Sequence, residues 1–159
     1  MMARWWLAAA WLGAVSADVV DPSMVGWRMV DRFAGFRFEV TGPFVTESGF
    51  HDAAVKKADE LGCFGWTQDS ERRTVVGEAR CAKPVADAFK AFLREGGPHS
   101  EVDDVHIYDY PDTKIKLHFS HFKTLLPDRI TCFHDPPHQC SDELMKQSEE
   151  HRRHGGEEL

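Results

Sequence analysis

Four cysteines, nine histidines and an excess of carboxylates are the residues of this 159-residue chain best suited to chemistry. Cys132, His134, His138 and Cys140 form a C-x-H-x3-H-x-C cluster, and thiolate with imidazole is a ligand set that zinc accepts tetrahedrally. The spacing matches no zinc-finger pattern, and in an oxidising compartment cysteines pair as disulfides in preference to holding zinc. With Cys63 and Cys81 the cysteines number four, which allows three connectivities. Elsewhere Glu47, His51 and Asp69 are two carboxylates and an imidazole, side chains that can move protons near neutral pH. Clusters of that kind are mostly solvated surface, so residue type alone assigns them no reaction.

Compartment decides between thiol and disulfide, and the first residues speak to it. Arg4 is followed by Trp5 to Val15 without a charged or strongly polar residue, and Val15-Ser16-Ala17 has the small residues of a cleavage site. The apolar run is about half the roughly 20 residues a bilayer-spanning helix needs. Residues 1–17 are therefore expected to be a signal peptide, with Asp18 the mature start, and the protein is expected to be secreted or to reside in the secretory-pathway lumen. Without Arg4, 18 basic residues face 26 acidic ones. That balance lacks the basic field that binds phosphate backbones, so no nucleic-acid partner is expected. No later stretch suits a membrane span. A soluble monomer is the expectation.

The elements that must position these residues follow from hydrophobic period. After an extension over 18–33, Phe36, Phe38 and Val40 alternate with Arg37, Glu39 and Thr41, a half-buried strand. Ala54, Val55, Ala58 and Leu61 recur at helical spacing, closed by Gly62. Cys63 to Gln68 and Thr74 to Cys81 read as a hairpin across the polar turn 69–73. Pro84 opens a second helix with an apolar stripe at Val85, Ala88, Phe89, Phe92 and Leu93, stopped by Gly96-Gly97-Pro98. Val105 and Ile107 begin a fourth strand, and Ile115, Leu117 and Phe119 mark a fifth. Strand, helix, strand, strand, helix, strand is the order of an α+β, ferredoxin-like split βαβ sandwich, with two helices on one face of an antiparallel sheet.

Within that order, Leu61-Gly62-Cys63-Phe64-Gly65-Trp66-Thr67-Gln68-Asp69 resembles the acylphosphatase pattern L-G-x-x-G-W-V-x-N. Phe38-Glu39-Val40-Thr41-Gly42, Thr74-Val75-Val76-Gly77-Glu78, Gly96 to Val102 and Leu117 to Phe122 resemble the family's other strands and turn, in the same sequence order. The resemblance covers about residues 36–124, within a domain over 34–126. It implies hydrolysis of small acyl phosphates to carboxylate and phosphate, with no metal or other cofactor. In that family a loop of backbone N–H groups at a helix start wraps the phosphate, an arginine clamps it, and an asparagine places the attacking water.

Both key positions differ here. Counting back from Trp66 puts His51 in the arginine position, and Asp69 stands in the asparagine position. Histidine lacks the permanent charge and planar fork of arginine, and an ionised Asp69 repels phosphate. Losing one preorganised donor costs about 3 to 4 kcal/mol of transition-state stabilisation. The anion loop, with Glu47, Ser48, Gly49 and Phe50 leading into the helix, gains one more carboxylate and is one residue longer than the family's. The expectation is a catalytically degenerate domain acting as a binding or interaction module for an unknown protein or small molecule; the alternative is an active acylphosphatase.

The fold implied by the resemblance pairs the second and third strands so that positions summing to about 144 lie opposite, which sets Cys63 across from Cys81. Such a bridge stabilises by about 3 kcal/mol on the chain-entropy model. Cys132 and Cys140 are then left to clip a small loop. His118 and His121 are expected on the solvent face of the last strand. Residues 127–159 read as a polar tail with a short exposed helix, partly disordered from Gly155-Gly156, and Gly156-Glu157-Glu158-Leu159 faintly echoes a K-D-E-L retrieval signal.

Overall fold

A computed structural model describes residues 32–111, 120–127 and 131–154. The expected signal peptide, nearly all of the expected extension, the expected strand centre at 115–119 with His118, and the last residues from Gly155 lie outside the described residues.

In β1 (Phe33–Thr41), Phe36, Phe38 and Val40 have no solvent exposure and share one face, as a period of two requires. α1 (Phe50–Leu61) lays Phe50, Ala54 and Ala58 on that face. Gly62 ends α1 at φ 65, where its N–H reaches Asp59 O and the Cys63 N–H reaches Ala58 O, so the last carbonyls are satisfied by a Schellman turn. β2 (Phe64–Asp69) and β3 (Val75–Ala82) form the hairpin, with Phe64 opposite Arg80 and Trp66 opposite Glu78. The sum-144 register holds, and Cys63 and Cys81 are disulfide-bonded with their Cα atoms 4.4 Å apart. Gly65 is obligatory at its place: its φ is 151, and a Cβ there would collide with the Glu78 carbonyl. α2 (Lys83–Glu95) follows with Pro84 in its first turn, and its Phe89 packs among Phe36, Phe38 and Phe122.

β4 (Asp104–Asp109) pairs with β1, and β5 (Phe122–Thr124) pairs with β2, giving the strand order β4-β1-β3-β2-β5. Four strands are antiparallel, as expected. β5 departs from the all-antiparallel expectation: the chain leaves β4 at one edge, returns at the other, and runs parallel to β2.

The opposite face of the sheet carries the larger surprise. Alternation in β1 suggests that Arg37 and Glu39 face water, yet Arg37 is 7 % exposed. The segment from Thr131 to Cys140 covers it. Arg37 Nη2 donates to the carbonyls of Asp135 and Pro136 at 3.0 and 2.9 Å, and its guanidinium lies 4.2 Å from the Phe133 ring. Phe133 stacks on Trp66 with the ring planes 4° apart, and the Trp66 indole donates to Glu78 at 3.0 Å. Glu39 accepts from Arg72, from the Thr74 hydroxyl at 2.7 Å and from the His138 N–H at 2.8 Å. Cys132 and Cys140 close this segment with a disulfide, their Cα atoms 5.5 Å apart, so neither sulfur is a free thiolate for zinc. α3 (Asp142–His154) begins at Ser141, whose N–H and hydroxyl both bond to Glu71 in the β2–β3 turn. The polar helix expected here exists, but it is not exposed all round: Met145 and Ser148 are buried.

These contacts set a pH dependence. Burial pushes Glu39 up, but Thr74, the His138 N–H and Arg72 outweigh it and hold its carboxyl below the usual range. Burial pushes the His138 imidazole down. On acidification the unfolded chain therefore takes up protons before the folded one at both residues. His138 contributes a loss of stability that begins as pH falls below about 6.5, and Glu39 a second loss that begins below about 4.5. Urea midpoints measured from about pH 7 to about pH 3 should decline in two limbs, with His138→Gln flattening the upper and Glu39→Gln the lower. A single limb unaffected by either substitution would contradict this assignment.

Candidate functional site

The first β–α turn and the end of β2 meet on the helix face of the sheet. His51 sits in the first turn of α1, and Thr67 and Asp69 project from alternate positions of β2 toward it. His51 Nε2 lies 2.7 Å from Asp69 Oδ1, and His51 Nδ1 lies 3.2 Å from Thr67 Oγ1. A carboxylate only accepts, so Nε2 carries the hydrogen of that bond. Both ring nitrogens of His51 are used by these two bonds. The structure thus brings together the two residues singled out by counting from Trp66.

Thr67 was not singled out in the sequence, although its place two residues before Asp69 on a strand signals a shared face. Hydroxyl, imidazole and carboxylate in that order also arm a nucleophile in acyl-transfer enzymes. Here Thr67 has no exposed surface, so its hydroxyl orients His51 and meets no substrate.

The loop over 42–49 is a succession of tight turns, with the Val45 N–H on Gly42 O and the Glu47 N–H on Phe44 O. A side chain at Gly42 would collide with the Glu101 carbonyl, so the loop is pressed against the turn that precedes β4. Ser48 locks the two together: its hydroxyl lies 2.6 Å from Ser100 Oγ and donates to Val45 O. Gly49, at φ 78, is the residue before α1, and no side chain caps the helix start. Of the anion-loop residues, Glu47 turns outward to Arg73 at 2.8 Å, and the Phe50 side chain is buried in the core against Phe92. Glu47 therefore stays out of the His51–Asp69 pair, and Phe50 can offer a ligand only its backbone.

Beyond Asp69 a cavity of about 450 Å³ runs between the end of β2, the stretch after β5 and the C-terminal segment. His51 and Asp69 lie at its rim. Sequence reading missed it, because its far wall comes from residues assigned to a polar tail; the apolar pairs Leu125-Leu126 and Leu144-Met145 are the local signal.

A five-stranded α+β sandwich of the ferredoxin-like type, with a helix start and a strand end converging on one polar pair, is the class that fold and site define. The family model for acylphosphatase matches residues 36–123, and the chain belongs to the acylphosphatase family. Two solved structures share the fold. An acylphosphatase from Coxiella burnetii is 20 % identical with a TM-score of 0.54, the match covering 63 % of this chain and 100 % of that one. An acylphosphatase from Bacillus subtilis is also 20 % identical with a TM-score of 0.52, covering 58 % of this chain and 99 % of that one. No curated protein matches the chain. Among the described residues no helix is long and apolar enough to cross a membrane.

The conformation at the start of α1 should depend on glycine itself. Nothing lies within 4 Å of a Cβ added at Gly49, so Gly49→Ala should cost about 1 to 2 kcal/mol through backbone strain alone, read as a lowered urea midpoint. Gly49→Asn, which tolerates the left-handed region better, should cost less. Equal costs would point to a steric cause instead.

Proposed function

We propose that this chain is a secretory-pathway acylphosphatase-like domain that has lost acyl-phosphate hydrolysis and serves as a binding module. The observation that carries the reading is the hydrogen bonding of His51. Where the family places an arginine with a fork of donors, this chain has an imidazole whose two nitrogens are spent on Asp69 and Thr67. No side-chain N–H of His51 remains for a phosphate, and the Asp69 carboxyl stands beside it. Phosphoryl and acyl-phosphate chemistry relies on preorganised positive charge, and loss of one such donor costs about 3 to 4 kcal/mol.

Two disulfides support an oxidising compartment. Detection of a mature N-terminus at Asp18 in the expressed protein tests export.

An active, metal-independent acylphosphatase is the competing reading, and hydrolysis of benzoyl phosphate separates the two. The mature protein should turn it over no faster than buffer, whereas the double variant His51→Arg, Asp69→Asn should regain turnover. Wild-type hydrolysis well above buffer would make the protein an enzyme.

Inorganic phosphate offers an independent check, since a ligand that binds the native state must stabilise it by mass action. Millimolar phosphate or sulfate should leave the thermal midpoint unchanged; a clear rise would restore the anion site.

A further inference from the structure

The cavity beyond Asp69 has a definite chemical polarity. Its wall is apolar at Leu125, Leu144 and the Cys132–Cys140 disulfide, and the exposed Leu126 also lines it. Its volume of about 450 Å³ is within the range of small-molecule sites, about 300 to 1,000 Å³. The charged residues that line it are Asp69 and Glu71, and among the described residues no lysine or arginine does so. Asp69 is well exposed and accepts from His51 on Oδ1.

His138, also in the lining, supplies a separate observation. It is 5 % exposed, and its Nδ1 has no hydrogen-bond partner. Nε2 lies 3.6 Å from Cys140 Sγ. A disulfide sulfur bears no hydrogen, so Nε2 is the donor in that contact and Nδ1 is left as an unmet acceptor. A buried acceptor without a donor is costly. Nδ1 itself has almost no accessible surface, so the charge of the cavity is set by Asp69 and Glu71, against an apolar wall.

We propose that this cavity binds a small organic cation, an ammonium or amidinium group carried on a short apolar body, with the charged end at Asp69 and the body against Leu125 and Leu144. The assignment rests on the reading of the domain as a binding module and names the ligand class for the same face. It is the charge opposite to that of a phosphate, which Asp69 and Glu71 would repel.

Isothermal titration of the intact, oxidised protein with n-octylammonium, octanoate, 1-octanol and tetramethylammonium tests it. n-Octylammonium should saturate the protein at or below about 1 mM, with octanoate and 1-octanol each at least roughly tenfold weaker and tetramethylammonium without measurable binding. Asp69→Asn should weaken n-octylammonium roughly tenfold and leave 1-octanol unchanged. Leu144→Ala should weaken both; if that variant does not fold, the exposed Leu126→Ala takes its place. Octanoate or octanol binding as tightly as n-octylammonium would overturn the proposal, as would the absence of binding by all four.

Benzoyl phosphate hydrolysis by the same preparation keeps the two readings distinct. Turnover together with n-octylammonium binding removes the lost-enzyme reading and leaves the cavity assignment. Neither turnover nor binding removes the cavity assignment alone.

Discussion

Arg37 is a buried cation in the middle of β1, and much of the molecule is arranged around it. A guanidinium taken out of water must recover its hydrogen bonds or destabilise the fold by several kcal/mol. Asp135 and Pro136 supply two carbonyls, and Phe133 and Tyr108 supply aromatic faces. Glu39, its neighbour on the same face, is met by Arg72, Thr74 and the His138 N–H. Together the two charges specify where the C-terminal segment lies, because an apolar surface would accept many placements and these directional contacts accept few. The same contacts carry Phe133 onto Trp66 and place Cys132, His138 and Cys140 at the edge of the cavity.

The helix face of the sheet is legible in the amino-acid sequence, for reasons that are local. Phe36, Phe38 and Val40 show the strand period, Ala54, Ala58 and Leu61 the helical one, and Gly62 and Gly96 the stops. With those elements in order, the register of β2 on β3 and the Cys63–Cys81 bridge follow from the fold. The other face is not legible in this way. Arg37 and Glu39 have the composition of a solvated face, and only tertiary cover, contributed from almost a hundred residues away, shields them. A polar segment that packs through hydrogen bonds and one aromatic stack has no hydrophobic period by which to announce itself.

The site shows the same division. His51 and Asp69 are reachable by counting from Gly65-Trp66, since a strand and a helix of fixed length bring the same positions together wherever the fold recurs. What those residues do to one another is not reachable that way. The pairing that occupies both nitrogens of His51 depends on side-chain geometry and on Thr67, a residue of β2 that belongs to no motif of its own. Family membership settles the frame, while the hydrogen bonds inside it set the chemistry available.

The separation of 99 residues between Arg37 and Pro136 has a bearing on how the protein is made. Synthesis runs from the N-terminus, so the strands and helices of the sandwich leave the ribosome well before the residues that wall the cavity. Until Phe133 and the carbonyls of Asp135 and Pro136 arrive, Arg37 lacks those partners, while Glu39 can already be met by Arg72 and Thr74. The residues of that wall, Cys132 and Cys140 among them, are thus synthesised after the sandwich they cover. A product cut short after residue 127 would carry the family's motifs and still lack the wall on which Leu144, His138 and the second disulfide depend.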